Sequence, residues 1–458
     1  MTALHSSNAS LQPSLTHGQS VLPPDDPLRA TLHNEVHARP SARVQLPALV
    51  TYVAVLNAGV TREQECAHLR GLPGQADLPL ESLQSSFLRL RLDGFSVKWE
   101  RHTEFTRYSI LQELPTGAGL GAAMPDLLHA LPVNPDWLRN LPGRTVVAVQ
   151  LVMVHGALTD LPALVTQAQT WFGPSTLMAS QLGNDASKTT GHSVAVTDFR
   201  LLADGFERLL VIAPPTTSPS RAGRIAKRLL ELETYRLMAL RGLPVAKDLG
   251  GLLSASEASL ALITARLENK SALDQELLDT LISLAAGVER AMAEHSFRFA
   301  ATQAYDTLVG QRHQELRERP IPGTQTLGEF MQRRLSPAMA TVAATAKRLN
   351  SLSERVARTS ALLRTRVDIA TEVQNQQLLE KLTRGQDMQL RLQSTVEGLS
   401  IAAISYYVIS LLLYAGKALK AAGVPVNPEM AAGALVPVVL WGVWRTIRRI
   451  HATLHGGH

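Results

Sequence analysis

The sequence holds a single cysteine, Cys66. An internal disulfide is therefore excluded, and the composition fits a reducing, cytoplasmic setting. Cys66 as a lone nucleophile is the sharper reading, and a partly buried thiol is the plainer one. Charge of one sign is scarce as well: 45 Lys+Arg stand against 39 Asp+Glu. Much of that surplus falls in residues 312–449, so no nucleic-acid partner is expected. The chain has no Walker-type loop, Rossmann fingerprint, nucleophile elbow or CxxC pair. Enzymatic chemistry has no positive support in these patterns, and no cofactor is implied. The opening "MTALHSSNASLQPSLTHGQSVLPPDDP" lacks the basic start and apolar run of a secretory signal, and residues 1–26 read as a disordered lead-in.

The apolar share is ordinary, at 45% of 458 residues, which suits two or three packed units. It is concentrated near the end of the chain. "GLSIAAISYYVISLLLYAG", Gly398 to Gly416, carries no charge. At about 1.5 Å per residue it spans roughly 28 Å, close to a bilayer core. "MAAGALVPVVLWGVW", Met430 to Trp444, is shorter and needs "GVPVNPE" to supply its first turn, or a thinned bilayer. Tyr406, Tyr407, Tyr414, Trp441 and Trp444 sit near the edges, where amphipathic rings suit lipid headgroups. A two-helix transmembrane hairpin over 398–445 is expected, with the lipid bilayer as partner. Lys381, Arg384 and Arg391 precede it and Arg445, Arg448 and Arg449 follow, against only Lys417 and Lys420 between the spans. That asymmetry predicts a bacterial inner-membrane protein with both termini cytoplasmic, the basic, His-rich tail 446–458 included.

Ser336-Pro337 is a helix start, and no proline follows before Gly416. Leu349, Leu352, Val356, Leu363, Ala370 and Val373 recur at helical spacing, predicting a long stalk helix over 336–397 whose stripe dissolves past Val373. Residues 44–213 read differently. "LVTYVAVL", "SFLRLRL", "FSVKWE", "EFTRYSIL", "RTVVAVQLVMV", "TLMASQL", "SVAVTDF" and "RLLVIA" are strands by alternation or β-branched content, with "LPALVTQAQTWF" a helix among them. The fold class is thus a mixed α/β (α+β) cytoplasmic domain over 27–216. A helical region over 217–335, the stalk and the hairpin follow.

Polar side chains cluster in "TLHNEVHARP". Asp26-Pro27 can begin a short helix reaching Ala38, on which His33 and His37 share a face as metal-binding pairs do. Asn34 stands where a zinc protease needs glutamate, so that chemistry is excluded. "WERHTEF" offers Glu100, His102 and Glu104, which share one face if that segment is a strand. His33, His37, His102 and Glu104 are the candidate ligands of a divalent metal. The competing reading is a structural cluster in which Arg39 and Arg101 neutralise Glu35, Glu100 or Glu104. In "ETYR", Glu233 with Arg236 has the spacing of an ordinary helix-surface pair, as does Glu231 with Lys227 or Arg228.

"LHNEVHARP", "VKWERHTEF", "LLELETYRLMAL", "FRFAATQAYDTLVGQR", "LLRTRVDIATEVQNQQLL" and "LRLQSTVEGLSIAAISYY" resemble the recurrent blocks of one domain-of-unknown-function family, DUF3422, of bacterial membrane-anchored proteins. The likeness runs from about Pro27 to Arg449 and implies an anchor but no activity. A looser likeness is to CorA-type magnesium transporters, which also run a cytoplasmic α/β domain through a long helix into two spans. Their Gly-Met-Asn signature is replaced here by "YAGKALKAAG", and Lys417 and Lys420 would repel a divalent cation. Two functions are expected to compete. One is ion or small-solute transport by a homo-oligomer, with Ser405 or Tyr406 facing a central path. The other is a membrane-anchored sensor or scaffold whose α/β domain binds a ligand or partner.

Overall fold

The computed structural model describes residues 26–30, 32–33, 41–183, 191–268, 274–423, 425 and 427–455. They fall in two compact units, Met1–Ala265 with Leu281–Val356, and Arg266–Thr280 with Ala357–His458. The lead-in expected at 1–26 lies outside the described residues apart from Asp26.

The first unit is built on one sheet, nine strands among the described residues, in the order β2-β3-β4-β1-β5-β8-β7-β6-β9. The strands are β1 (Ala48–Leu56), β2 (Phe87–Leu92), β3 (Phe95–Arg101), β4 (Phe105–Glu113), β5 (Arg144–His155), β6 (Met178–Leu182), β7 (Ser193–Thr197), β8 (Glu207–Ala213) and β9 (Arg319–Pro320). All neighbours pair antiparallel except β5 and β8. Eight strands coincide with the runs expected from alternation. The two-residue β9 was not legible, because a pair ending in proline carries no period.

Helices α1 (Arg62–Arg70), α2 (Pro135–Arg139) and α3 (Leu161–Phe172) contribute to two apolar clusters on one face of the sheet. Cys66 and Leu69 of α1 and Trp137 of α2 join Val53, Val97 and Ile110 in the first. Leu164 and Trp171 of α3 join Leu49, Val152 and Leu210 in the second. Cys66 is buried, so the bland thiol reading stands. Both α1 and α3 start from side-chain caps: Thr61 with Gln64, and Asp160 accepting from the Ala163 amide at 3.0 Å.

The opposite face is covered by α4 (Pro219–Leu240), capped by Ser218. A Cβ on Gly223 would lie 1.6 Å from the Ala42 carbonyl oxygen, so only glycine lets the chain segment before β1 approach the helix. Beneath α4 the sheet face is ionic. Arg107, fully enclosed on β4, meets Glu100 of β3 through its Nε and Glu231 of α4 at 3.3 Å through Nη1. Lys98 reaches Glu100 at 2.9 Å, and Tyr52 shares a 2.7 Å hydrogen bond with Thr234. Glu231 also accepts from Arg312, farther along the chain, at 2.7 Å.

Helix α4 stops at Leu240, and α5 (Gly242–Glu268) begins after Arg241; Pro244 sits in its first turn, where no amide donor is required. Next come α6 (Asp274–Leu316) and α7 (Leu327–Arg334). Helix α8 runs without a break from Ser336 to Ala421, as the serine-proline start and the absent prolines predict. Leu349, Leu352, Val356 and Leu363 are buried, whereas Val373 is exposed. In the second unit α9 spans Pro428–His455, so the last apolar run does take its first turn from the loop segment. The apolar windows in Leu327–Ala421 and Pro428–Ile447 have mean hydropathy 1.8 and 1.5, enough by length and composition to cross a membrane.

Burial raises the Glu100 carboxyl, but the charge and hydrogen bond of Arg107, with Lys98, bring it down to about 2. A depressed folded-state value stabilises the fold above the unfolded carboxylate range, and that stability is lost as pH falls towards 2. Glu100→Gln leaves a buried guanidinium short of one carboxylate and should cost about 3 kcal/mol or more at neutral pH. Calorimetry of the full chain in mild detergent should show the deficit shrinking as pH falls from the ordinary carboxylate range towards about 2, first as the unfolded carboxylate takes up its proton and finally as the folded pair does.

Candidate functional site

The residues expected to gather around the two histidines do not form one shared face. His37, Glu35 and Arg39 lie outside the described residues. The helical turn opened by Asp26 is present, with the Leu28 amide donating to Asp26 Oδ1 at 2.7 Å and the Leu32 amide to the Leu28 carbonyl at 2.8 Å. His33 belongs to that turn and has a polar or ionic partner of its own. In the second segment β3 ends at Arg101, and residues 102–104 form the turn into β4, which breaks the alternation on which a shared face depended. Glu100 turns under α4 to Arg107, His102 stacks on Phe105 with ring centroids 4.6 Å apart, and Glu104 pairs with Arg298. Arg101 neutralises Glu65 at 2.7 Å, not Glu100 or Glu104. Among the described residues no three His, Cys, Asp or Glu side chains are grouped to hold a metal ion.

A different site emerges where α4 crosses the start of β8. Glu233 and Arg236, one helical turn apart, form the expected pair: Arg236 Nε donates to Glu233 Oε2 at 2.9 Å. The helix-surface reading stops there, because Glu233 is buried and the pair faces the sheet. Arg236 Nη2 also reaches both oxygens of Glu207 at 3.5 Å. One guanidinium thus lies between two carboxyls.

Burial pushes the Glu207 carboxyl up, and the neighbouring Glu233 charge and hydrogen bond push it further, to about 9; Arg236 opposes the rise without cancelling it. Two carboxyls in so little water resist ionising together, which favours one proton held between them. Asp198 adds to the same repulsion.

Glu207 and Arg236 line a pocket of about 740 Å³, with Glu233 buried behind them. Val53, Leu138, Phe206 and Leu237 supply apolar surface, and Arg139 and Asp204 supply charge. Phe199, at the rim, has a left-handed backbone with φ of 49°, a conformation costly for an aromatic residue. Its ring stacks on Phe330 at 4.4 Å and lies 5.3 Å from the Arg236 guanidinium carbon. The strain is held because the ring is clamped between an aromatic and a cation. A proton-bearing carboxyl, a second carboxylate and a strained aromatic at one pocket are the marks by which a ligand site differs from a plain surface ion pair.

Sequence reasoning found Glu233 and Arg236 but missed Glu207 and Phe199. The available signal was "FERLL", an acidic residue at the head of an otherwise apolar strand.

The raised acid sets a testable pH dependence. Folded protein keeps the Glu207 proton up to about pH 9, while unfolded chain releases it near the ordinary carboxylate value. Stability contributed by this proton is therefore present at low pH and lost as pH rises through that window. Glu207→Gln cannot ionise, so denaturant titrations should show the variant gaining on wild type between about pH 5 and pH 8.5. A constant difference would show that Glu207 is already ionised in the folded state.

No curated protein and no solved structure matches the chain. The looser likeness to CorA-type transporters expected from the order of elements is not confirmed by either comparison. The family comparison agrees with the blocks read from the sequence: residues 24–454, nearly the whole chain, match the family described as "Protein of unknown function (DUF3422)", and the chain belongs to that family.

Proposed function

We propose that this protein is a membrane-anchored sensor whose α/β unit binds a small organic cation, a basic nitrogen on a short apolar body. The observation that carries the reading is the placement of two carboxyls, Glu207 and Glu233, on the single guanidinium of Arg236 at the 740 Å³ pocket, with burial and the second carboxyl pushing Glu207 up. An arriving ammonium group replaces the shared proton: Glu207 ionises, and the ligand supplies the positive charge that the two carboxylates lack. Leu138, Phe206 and Leu237 take the apolar body. The apolar windows of α8 and α9 support the anchor, held in an inner membrane with both termini on the cytoplasmic side.

The test is calorimetric titration of the full chain with a panel of primary alkyl and arylalkyl amines, all ammonium ions at pH 7, in buffers of different ionisation enthalpy. Binding near pH 7 should release close to one proton per amine, and affinity should rise with pH until Glu207 ionises unaided. Glu207→Gln should bind weakly and release none. Binding without proton release would sink the exchange. For the anchor, a reporter after His458 should be cytoplasmic and one inserted near Gly423 periplasmic; a periplasmic C-terminus would show that α9 does not cross.

A second reading, ion or small-solute transport by a homo-oligomer, has one feature in its favour. Helix α8 passes directly into the apolar run, where Ser405 is buried with its hydroxyl unbonded among the described residues, while Tyr406 is exposed. One hairpin cannot enclose a path, so this reading needs several copies. Solute flux into vesicles loaded with the purified chain separates it from the sensor.

A further inference from the structure

From Asp368 to Val396 every residue of α8 is exposed. An isolated helix in water gains little from its own backbone bonds, and most helices are held by packing of an apolar face. Such a face is present here although the polar composition hides it. Leu378, Leu382, Met388, Leu392, Val396 and Leu399 are between 57% and 74% exposed. At about 100° per residue they lie within an arc of roughly 120°. Glu380, Arg384, Asp387 and Arg391 fall on the opposite side, where Arg384 pairs with Glu380 at 2.7 Å. Lys381 falls inside the apolar arc as its one charged residue, and the exposed Leu379 and Leu390 lie outside it.

The spacing identifies the occupant. Leu378, Leu382, Gly385, Gln389, Leu392, Val396 and Leu399 alternate steps of four and three, which keeps a narrow stripe facing one direction only if two helices wind around each other. A globular partner imposes no such period. Two copies of this chain do, because each layer then meets its own equivalent. Gly385 lets the backbones approach, and Gln389 can meet its counterpart through amide hydrogen bonds, the kind of single polar layer that fixes register. We infer that residues 378–399 form a parallel, in-register coiled-coil seam with a second copy of this chain. The parallel sense follows from the anchor reading above, since copies entering one membrane from the same side present this segment at the same height.

The experiment uses the full chain in native membranes, with buried Cys66 left in place. Leu382→Cys, Gln389→Cys and Leu392→Cys should each form same-position disulfide dimers under mild oxidation, while Asp387→Cys and Arg391→Cys on the opposite side should not. Equal cross-linking on both sides, none on the seam, or links to another protein overturns the inference. In mild detergent the Leu382→Glu/Leu392→Glu double variant should have half the light-scattering mass of wild type or less, with the unfolding midpoint of the first unit unchanged; a wild type that is already monomeric overturns the inference as well. Loss of the chain from the membrane fraction would instead report failure of the anchor reading.

Discussion

A guanidinium buried under a helix is the constraint from which the first unit follows. Arg107 projects from β4 into a space closed by α4, and an unpaired charge there would be severely destabilising. Glu100 on the adjacent strand and Glu231 on the helix answer it, so the ion pair joins neighbouring strands and also bolts α4 to the sheet. Arg312 extends the same network to α6. A network of this kind adds less net stability than apolar packing would, but it tolerates only one placement of the helix. Sliding α4 by a turn would part Glu231 from Arg107 and Thr234 from Tyr52 together.

That placement has a consequence along the same helix. Glu231 and Thr234 are spent on the sheet beneath them, and Glu233 and Arg236, on the adjoining face of α4, are carried over the head of β8. Glu207 therefore meets a carboxylate it cannot escape and a guanidinium too far to neutralise it fully. The two networks share a helix but have opposite characters. Around Arg107 the charges nearly balance and Glu100 stays ionised. Around Arg236 one carboxyl too many is present, and a proton makes up the difference. The first arrangement fixes the helix on the sheet; the second leaves two carboxyls sharing one guanidinium.

The second unit obeys different physics. Its helices keep large apolar side chains exposed, Tyr407, Leu411, Trp441 and Trp444 among them, while Ser405, Pro428 and Ala432 are buried. In water that surface would be a liability; in lipid it is the ordinary state of a span. Gly416 approaches Pro428, so the turn between the helices is tight. Above the hairpin the exposed leucines of residues 378–399 pose the same demand in a milder form, because a water-facing seam can be satisfied by a like helix.

The sequence by itself determined the local elements. Eight strands, α3, the start of α8 and the two apolar runs were legible because periods of two and 3.6, proline placement and run length are written into consecutive residues. The family was legible for the same reason, through blocks of contiguous sequence. Pairing across distance was not. "WERHTEF" was read as one strand face, and the turn at residues 102–104 sent Glu100, His102 and Glu104 to three different neighbours. Glu233 with Arg236 was read as a solvated pair, and only the packing of α4 on β8 brought Glu207 within reach and removed the water. The physical reason is that periodicity encodes which way a side chain points. The acidity of a carboxyl depends on which charges lie within a few ångströms and how much water remains, and both are properties of the closed tertiary structure.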